Sequence, residues 1–182
     1  MTDLDFNFIK SVGSKGSGNC QFDGPYDFCF SNSKFYICDF FNQRIQVYSK
    51  DFNFVTSFKV EYYPRKIKST NSTICIVGCY PEGINFYNSN DFHLIRSYNR
   101  NHNQNYHHVA ADGISQINSM FYEFNSQFQT VSCYDEKGNL KEEINLKHFY
   151  DFEILPNTAF IYHNGELFIH SFLRNKIIKL FS

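Results

Sequence analysis

Residues 12–48, VGSKGSGNCQFDGPYDFCFSNSKFYICDFFNQRIQVY, contain one complete unit of a repeating β structure. The stretch begins with a glycine-rich turn and a Gly24-Pro25 corner, followed by a strand, a Ser-Asn-Ser turn and a second strand that ends at Asp39. The run Asn42-Gln43-Arg44-Ile45 then opens a third strand. Aromatic and β-branched residues between turn residues favour strands, so this stretch predicts short strands joined by tight turns.

Self-similarity extends the unit along the chain. Residues 5–11, DFNFIKS, return as residues 51–57, DFNFVTS, with five of seven positions identical. A second register relates Pro25 to Pro64 and Ile45 to Ile84 with the same offset of 39 positions. A period of 20 to 50 residues is typical of repeat architectures. The predicted units span about 24–58, 63–98, 112–146, and 156–182 together with 4–12.

The pattern resembles the NHL repeat, in which a G-x-G-x-G-x-F-x-x-P segment precedes two short strands and a D-x-x-N-x-R-I run. The resemblance is clear in residues 12–58 and divergent in the rest. It implies an all-β fold, a β-propeller of about four four-stranded antiparallel blades that forms a single domain over residues 1–182. The positions of the structural repeat motif are Gly18, Phe22, Pro25, Asp39, Asn42, Arg44 and Ile45.

The two ends of the chain complement each other. The fourth unit stops after its third strand, whereas residues 4–12 supply the sequence of an unattached outer strand. We therefore expect residues 5–12 to lie beside residues 176–181 and to close the ring. The alternative is an open arc completed by oligomerisation, and the sequence leaves open the oligomeric state and any longer parent chain.

Composition narrows the classes of partner. The 182 residues carry 17 basic and 18 acidic side chains, a net charge of -1, which disfavours binding of nucleic acid through a broad positive field. No apolar run approaches 18 residues and the first residues lack a signal-peptide pattern, so we expect a cytoplasmic protein without membrane contact. The six cysteines contain no C-x-x-C pair, which predicts buried, reduced thiols.

Residues that could carry catalysis do not form a recognisable set. The loop Gly13-Ser-Lys-Gly16-Ser-Gly18 lacks the G-K-[ST] ending of a phosphate cradle and is interpreted as a turn. The carboxylates Glu82, Asp112 and Glu123 occupy unrelated positions in their units, so no acid and base can be paired. Histidines without structured spacing predict neither a metal nor another cofactor: His102, His107, His108, His148, His163 and His170. We therefore expect no enzymatic activity.

The resemblance implies a scaffold that binds a protein or peptide through its loop face, where the connections between blades and between second and third strands meet. The residues expected there are Arg65, Tyr80, Glu82, His107, His108, Tyr150 and Arg174. A first alternative is RNA binding through the basic and aromatic residues 62–68, with Arg96 and Arg100 later in the chain. A further alternative is a metal-dependent lyase or hydrolase with its site at a channel mouth.

Overall fold

The structure is a computed structural model, which describes residues 10–99, 113–117, 119–125, 129–145, 159–163, 166–171 and 176–181. These ranges consist of strands, turns and irregular segments. None of the described residues belongs to a helix long and apolar enough to cross a membrane.

Four antiparallel sheets follow one another along the chain, and within each sheet neighbouring strands are consecutive in sequence. Before them, β1 (Ser14–Lys15) and β2 (Gln21–Phe22) form a short parallel pair. The first sheet comprises β3 (Pro25–Ser31), β4 (Lys34–Asp39), β5 (Arg44–Ser49) and β6 (Phe54–Lys59). The second comprises β7 (Tyr63–Ser69), β8 (Thr73–Cys79), β9 (Gly83–Asn88) and β10 (Leu94–Asn99). The third comprises β11 (Gly113–Ile117), β12 (Met120–Asn125), β13 (Thr130–Asp135) and β14 (Leu140–Asn145). The fourth comprises β15 (Ala159–His163), β16 (Glu166–Ser171) and β17 (Lys176–Phe181).

The predicted all-β architecture of four-stranded antiparallel units is confirmed. The fourth sheet has three strands among the described residues. Most of the segment expected to complete it, residues 5–9, lies outside them, and the adjoining Lys10, Ser11 and Val12 are not in a strand. Closure of the ring by this segment therefore stays a prediction.

The sheets pack face to face through their first strands, because β3 contacts β7, β7 contacts β11 and β11 contacts β15. One apolar core lies between the first and second sheets and includes Tyr36, Ile45, Val47, Ile67 and Ile76. A second core lies between the second and third sheets and includes Val77, Ile84, Phe86, Phe121 and Tyr134. A four-stranded sheet of this size is stable only when such neighbours cover its faces.

A buried polar network around Asp39 joins the glycine-rich turn to the first sheet. Asp39 is fully buried, and its carboxylate accepts hydrogen bonds from four residues. The donors are the amide of Asp23 at 2.8 Å, Nδ2 of Asn42 at 2.9 and 3.0 Å, Nε of Arg44 at 2.7 Å and Nε2 of Gln46 at 3.1 Å. The charge of Asp39 is thus paired and hydrogen-bonded, as a buried carboxylate requires.

Arg44 extends the network to the turn itself. Its Nη1 donates to the carbonyl of Ser17, and its Nη2 donates to the carbonyls of Gly18 and Gln21, each at 2.8 Å. Asn42 adds a bond from Nδ2 to the carbonyl of Gly16 at 2.9 Å. A guanidinium has five donors in a fixed fork, which suits this convergence of three carbonyls and one carboxylate.

Replacing Arg44 by methionine removes the ion pair and leaves the Asp39 carboxylate buried without its cation. We expect the free energy of unfolding to fall by about 3–5 kcal/mol, the usual effect of breaking a buried pair. Urea unfolding followed by circular dichroism measures the change. Arg96→Met, an exposed position on β10, is the matched control and should stay within about 0.5 kcal/mol. Equal midpoints for the two variants would contradict the structural role of Arg44.

Candidate functional site

At one end of the strands in the first two sheets lie the turns between the second and third strands and the beginnings of the first strands. Pro25 pairs with Asp39, and Tyr63 pairs with Cys79. The start of each first strand therefore lies beside the end of the second strand and the turn that follows it. We call this end of the strands the loop face.

Five aromatic rings form a continuous patch on the loop face. Phe40 is at its centre, with ring centroids 5.0 Å from Phe41, 5.0 Å from Tyr26 and 5.2 Å from Tyr63. Tyr63 in turn lies 6.3 Å from Tyr80 in an edge-on arrangement. Tyr26, Phe41 and Tyr80 are 53%, 61% and 54% exposed. The aromatic patch, defined by these five residues, presents a large apolar surface to solvent.

A cation borders the aromatic patch. The guanidinium carbon of Arg65 lies 5.8 Å from the ring centroid of Tyr26, within the range of a cation–π contact. Among the described residues, no hydrogen-bond acceptor reaches the buried Nε of Arg65. Arg65 thus contacts the Tyr26 ring while its buried Nε donor has no hydrogen-bond acceptor among the described residues.

The repeat explains why these residues converge. The strand pairing shifts register between Pro25 and Phe28 in β3 and between Pro64 and Lys66 in β7. Tyr26 and Arg65 lie within these two irregularities, which re-aim side chains in the way β-bulges do. Phe41 and Tyr80 are also equivalent, since each stands two positions after the last residue of the second strand that pairs with the third.

The structure brings together some of the residues expected on the loop face. Arg65 and Tyr80 both belong to the patch region, and Glu82 lies half-buried in the same turn as Tyr80. His107, His108, Tyr150 and Arg174 lie outside the described residues. Sequence reasoning missed Tyr26, Phe40 and Phe41 as surface residues and assigned Tyr63 only to the RNA alternative. The 39-residue offset was a usable signal, because it places Phe41 on Tyr80 and Tyr26 on Arg65.

The basic segment proposed for RNA is divided between several environments. Tyr62, Pro64 and Ile67 are buried, whereas Lys66 and Lys68 are half-buried on β7, the first strand of the second sheet. Arg96 is exposed on β10, at the other edge of the same sheet. Arg100 lies outside the described residues. The described basic residues are therefore spread across the sheet.

Among the described residues, the carboxylates and the histidines considered for catalysis belong to different sheets. Glu123 is buried in the third sheet, where it accepts a hydrogen bond of 3.0 Å from the hydroxyl of Tyr134. His163 and His170 are in β15 and β16, whereas Asp112 and the histidines at 102, 107, 108 and 148 lie outside the described residues. Within the described part of the chain, no three His, Cys, Asp or Glu side chains converge as metal ligands do.

Comparisons with known proteins identify the fold. No family model matches the chain. No curated protein matches its sequence significantly. Solved structures of β-propeller proteins do match it. The chain therefore has a β-propeller fold, and its sheets are blades of a propeller.

Three solved structures show how far the likeness extends. A candidate exported protein of Bacteroides fragilis aligns with 98% of this chain and 64% of its own, at 10% identity and a TM-score of 0.66. A streptogramin B lyase aligns with 86% of this chain and 54% of its own, at 15% identity and a TM-score of 0.59. BamB from Moraxella catarrhalis aligns with 84% of this chain and 41% of its own, at 8% identity and a TM-score of 0.57. The chain thus spans 41% to 64% of the length of these larger proteins.

The six cysteines are all free, and five of them are shielded to some degree. Burial raises the pKa of the Cys29 thiol to about 11 and raises the pKa values of Cys38 and Cys75 well above their usual range. Cys79, beneath the loop face, also has a pKa raised by burial, although Arg65 opposes the shift. Cys20 is exposed. A raised thiol pKa lowers the thiolate fraction, so the buried thiols are poor nucleophiles.

The thiol-reactive Ellman's reagent should distinguish these sites at pH 8. A thiol with a pKa of about 11 is ionised in only about one molecule in a thousand at this pH, and burial also blocks the reagent. We expect Cys20 to react in a fast phase and Cys29, Cys38 and Cys75 to react only upon unfolding. Cys20→Ser should remove the fast phase. Persistence of that phase in the variant would show that one of the five shielded thiols is accessible.

Proposed function

We propose that this chain is a non-enzymatic, NHL-type β-propeller scaffold of the cytoplasm that binds a protein or peptide partner through its loop face. The observation that carries the proposal is the aromatic patch with Arg65 beside it. Tyr26, Phe41 and Tyr80 are each more than half exposed although they are large apolar side chains. Contiguous exposed apolar surface of this kind marks interaction sites.

The composition of the patch matches the energetic centre of protein interfaces. Aromatic residues and arginine are enriched there, and a few such side chains supply most of the binding energy. The rings already contact one another at centroid distances of 5.0 to 6.3 Å. Binding therefore orders few new side-chain conformations, which reduces the entropic cost of association.

The position of the patch also favours a binding role. Its residues lie in turns and bulges at the strand ends of two sheets that pack on each other. Loops on a rigid scaffold are the usual place for recognition. A partner that offers apolar side chains to the rings and a carboxylate to Arg65 would match the chemistry of this surface.

The NHL-type and non-enzymatic parts of the proposal have separate support. Asp39, Asn42 and Arg44 match the repeat pattern, and their hydrogen bonds fix a turn. The similar solved structures include a lyase, so likeness alone does not distinguish binding from catalysis. The non-enzymatic part is supported by two features of the described residues. Glu123 is buried against Tyr134, and the shielded thiols have raised pKa values.

Paired affinity capture from native extract tests the proposal. Wild-type protein and the double variant Phe41→Ala/Tyr80→Ala are used as baits, and the proteins lost with the variant are identified by mass spectrometry. We expect a purified partner from this set to bind the variant at least about tenfold more weakly, because truncating a central aromatic residue typically costs more than about 1 kcal/mol. Isothermal titration calorimetry measures the change.

The matched control is Leu94→Ala/Leu140→Ala. Both leucines are 45% exposed, but they lie on the outer strands β10 and β14, away from the patch. This control should bind like wild type. Equal binding by the patch variant would refute the proposed surface. Salt-sensitive capture of RNA that depends on Lys66 and Lys68 would instead support the RNA alternative.

A further inference from the structure

The first sheet has a second aromatic surface, distinct from the aromatic patch. One face of this sheet packs on the second sheet through Tyr36, Cys38, Ile45 and Val47. The opposite face exposes 62% of Phe28 and 53% of Phe30, with Phe35 and Ile37 half-buried beside them. We call this set of four residues the open face. Its rings contact one another, with centroids 4.7 Å apart for Phe30 and Phe35.

The strand pairing aligns the sheets residue by residue and shows what the open face corresponds to. Phe28 has the position of Ile67 in the second sheet and of Ile114 in the third. Ile67 is 0% exposed and Ile114 is 8% exposed, against 62% for Phe28. Phe30 has the position of Ser69, which is 9% exposed. The open face is therefore the face that the second and third sheets bury.

The element that buries it in the second sheet is the first strand of the preceding sheet. The carboxylate of Asp27 accepts a hydrogen bond of 3.0 Å from the amide of Ile67. Cys29 Sγ and Ser69 Oγ lie 3.1 Å apart in a buried contact. Ser31 Oγ donates to the carbonyl of Thr70 at 2.8 Å. The open face of the first sheet has the same strand geometry, but among the described residues no sheet lies over Phe28 and Phe30.

Within the described ranges, neither end of the same chain covers this surface. The segment that contains β1 and β2 lies over β5 on the same side of the sheet, where Phe22 stacks on Tyr48 with ring centroids 6.0 Å apart. Tyr48 is only 1% exposed. The fourth sheet packs on the third through β15 and β11. Phe28 and Phe30 remain exposed in the presence of both.

The fourth sheet has apolar residues at some of the positions through which the first sheet packs on the second. In its strand register, Ile161 has the position of Cys29, Phe168 has that of Tyr36, and Ile177 has that of Ile45. Cys29, Tyr36 and Ile45 are three of the positions through which the first sheet packs on the second. At two others, Cys38 and Val47, the fourth sheet has His170 and Lys179. The last sheet thus offers apolar residues at three of the five positions that a following sheet would cover.

We propose that the open face binds the fourth sheet of a second copy of this chain, so that two copies form one ring. Two identical contacts related by a two-fold axis close on themselves, and every open face and every fourth sheet is then paired. Two copies with four sheets each give eight, which is within the usual range of about four to eight blades, whereas three copies would exceed it. The larger size of the similar structures agrees with an arc that forms part of a ring. This assembly goes beyond the proposed loop-face function and does not depend on it.

Light scattering coupled to size-exclusion chromatography over a concentration series tests the assembly. We expect wild-type protein to have twice the 21.5 kDa mass of one chain. The double variant Phe28→Ser/Phe30→Ser should be monomeric or should show a dimer dissociation constant raised at least about 100-fold, since two aromatic contacts are lost. Because both residues are exposed in the single chain, circular dichroism should show that the variant stays folded.

The control for apolar surface in general is Leu94→Ser/Ile95→Ser, two residues 45% and 42% exposed on β10. This variant should dimerise like wild type. The proposal is overturned if wild type is monomeric at all concentrations or if the phenylalanine variant dimerises as well as the control.

A disulfide test identifies which sheet covers the open face. The Cys29–Ser69 contact predicts that residue 161 of one copy lies beside residue 30 of the other, because these positions are equivalent to 29 and 69. Two single variants, Phe30→Cys and Ile161→Cys, each in a Cys20→Ser background, are mixed and oxidised. A cross-linked species of two chains, absent when either variant is oxidised alone, supports the proposal.

The same pair placed in one chain tests the rival arrangement. In the double variant Phe30→Cys/Ile161→Cys, the second-copy assembly predicts disulfide-linked dimers on a non-reducing gel. An internal disulfide in a monomer would mean that the chain closes its own ring, and it would overturn the proposal.

Discussion

A small antiparallel sheet has two faces and can cover neither of them by itself. Stacking the sheets face to face covers the faces between the first and second sheets and between the second and third, as the cores around Ile67 and Phe86 show. Among the described residues, no sheet covers the other face of the first sheet. The N-terminal segment covers the outer part of the first face by packing Phe22 on Tyr48, but the inner part keeps Phe28 and Phe30 exposed. The architecture thus leaves an exposed aromatic surface on the first sheet.

The first two units share the same strand arrangement but differ in the side chains that pack at the turn between their second and third strands. In the first unit, the buried pair Asp39 and Arg44 fixes the turn region through charge-assisted hydrogen bonds. The second unit has Gly78 and Gly83 at these positions. A Cβ atom at position 78 would overlap the ring of Tyr62, so this ring fills the space of the acidic side chain. Aromatic packing replaces an ion pair at the same place in the fold.

The two aromatic surfaces to which the first sheet contributes both depend on one register shift in β3. Regular alternation along β3 would align Tyr26 with Phe28 and Phe30, but the register shift between Pro25 and Phe28 interrupts it. Tyr26 instead contacts Phe40 and Arg65 on the loop face. Phe28 and Phe30 continue on the sheet face, where Phe30 contacts Phe35. One strand therefore contributes to a candidate binding site and, separately, to a candidate assembly surface.

The local features of this protein could be predicted from its amino-acid sequence. Turn residues such as Asn32 and Ser33 and the alternation of strands such as β4 depend on neighbours in the chain, so the antiparallel units and their strands were predictable. Arg65 and Tyr80 were predictable as loop-face residues for the same reason. The side chains that meet across sheets could not be predicted in this way, because contacts such as Phe40 with Tyr63 depend on the packing of separate units. The tertiary structure was also needed to show that Phe28 is exposed while its equivalent Ile67 is buried, since exposure depends on which sheets pack on each other, and no local pattern encodes that packing.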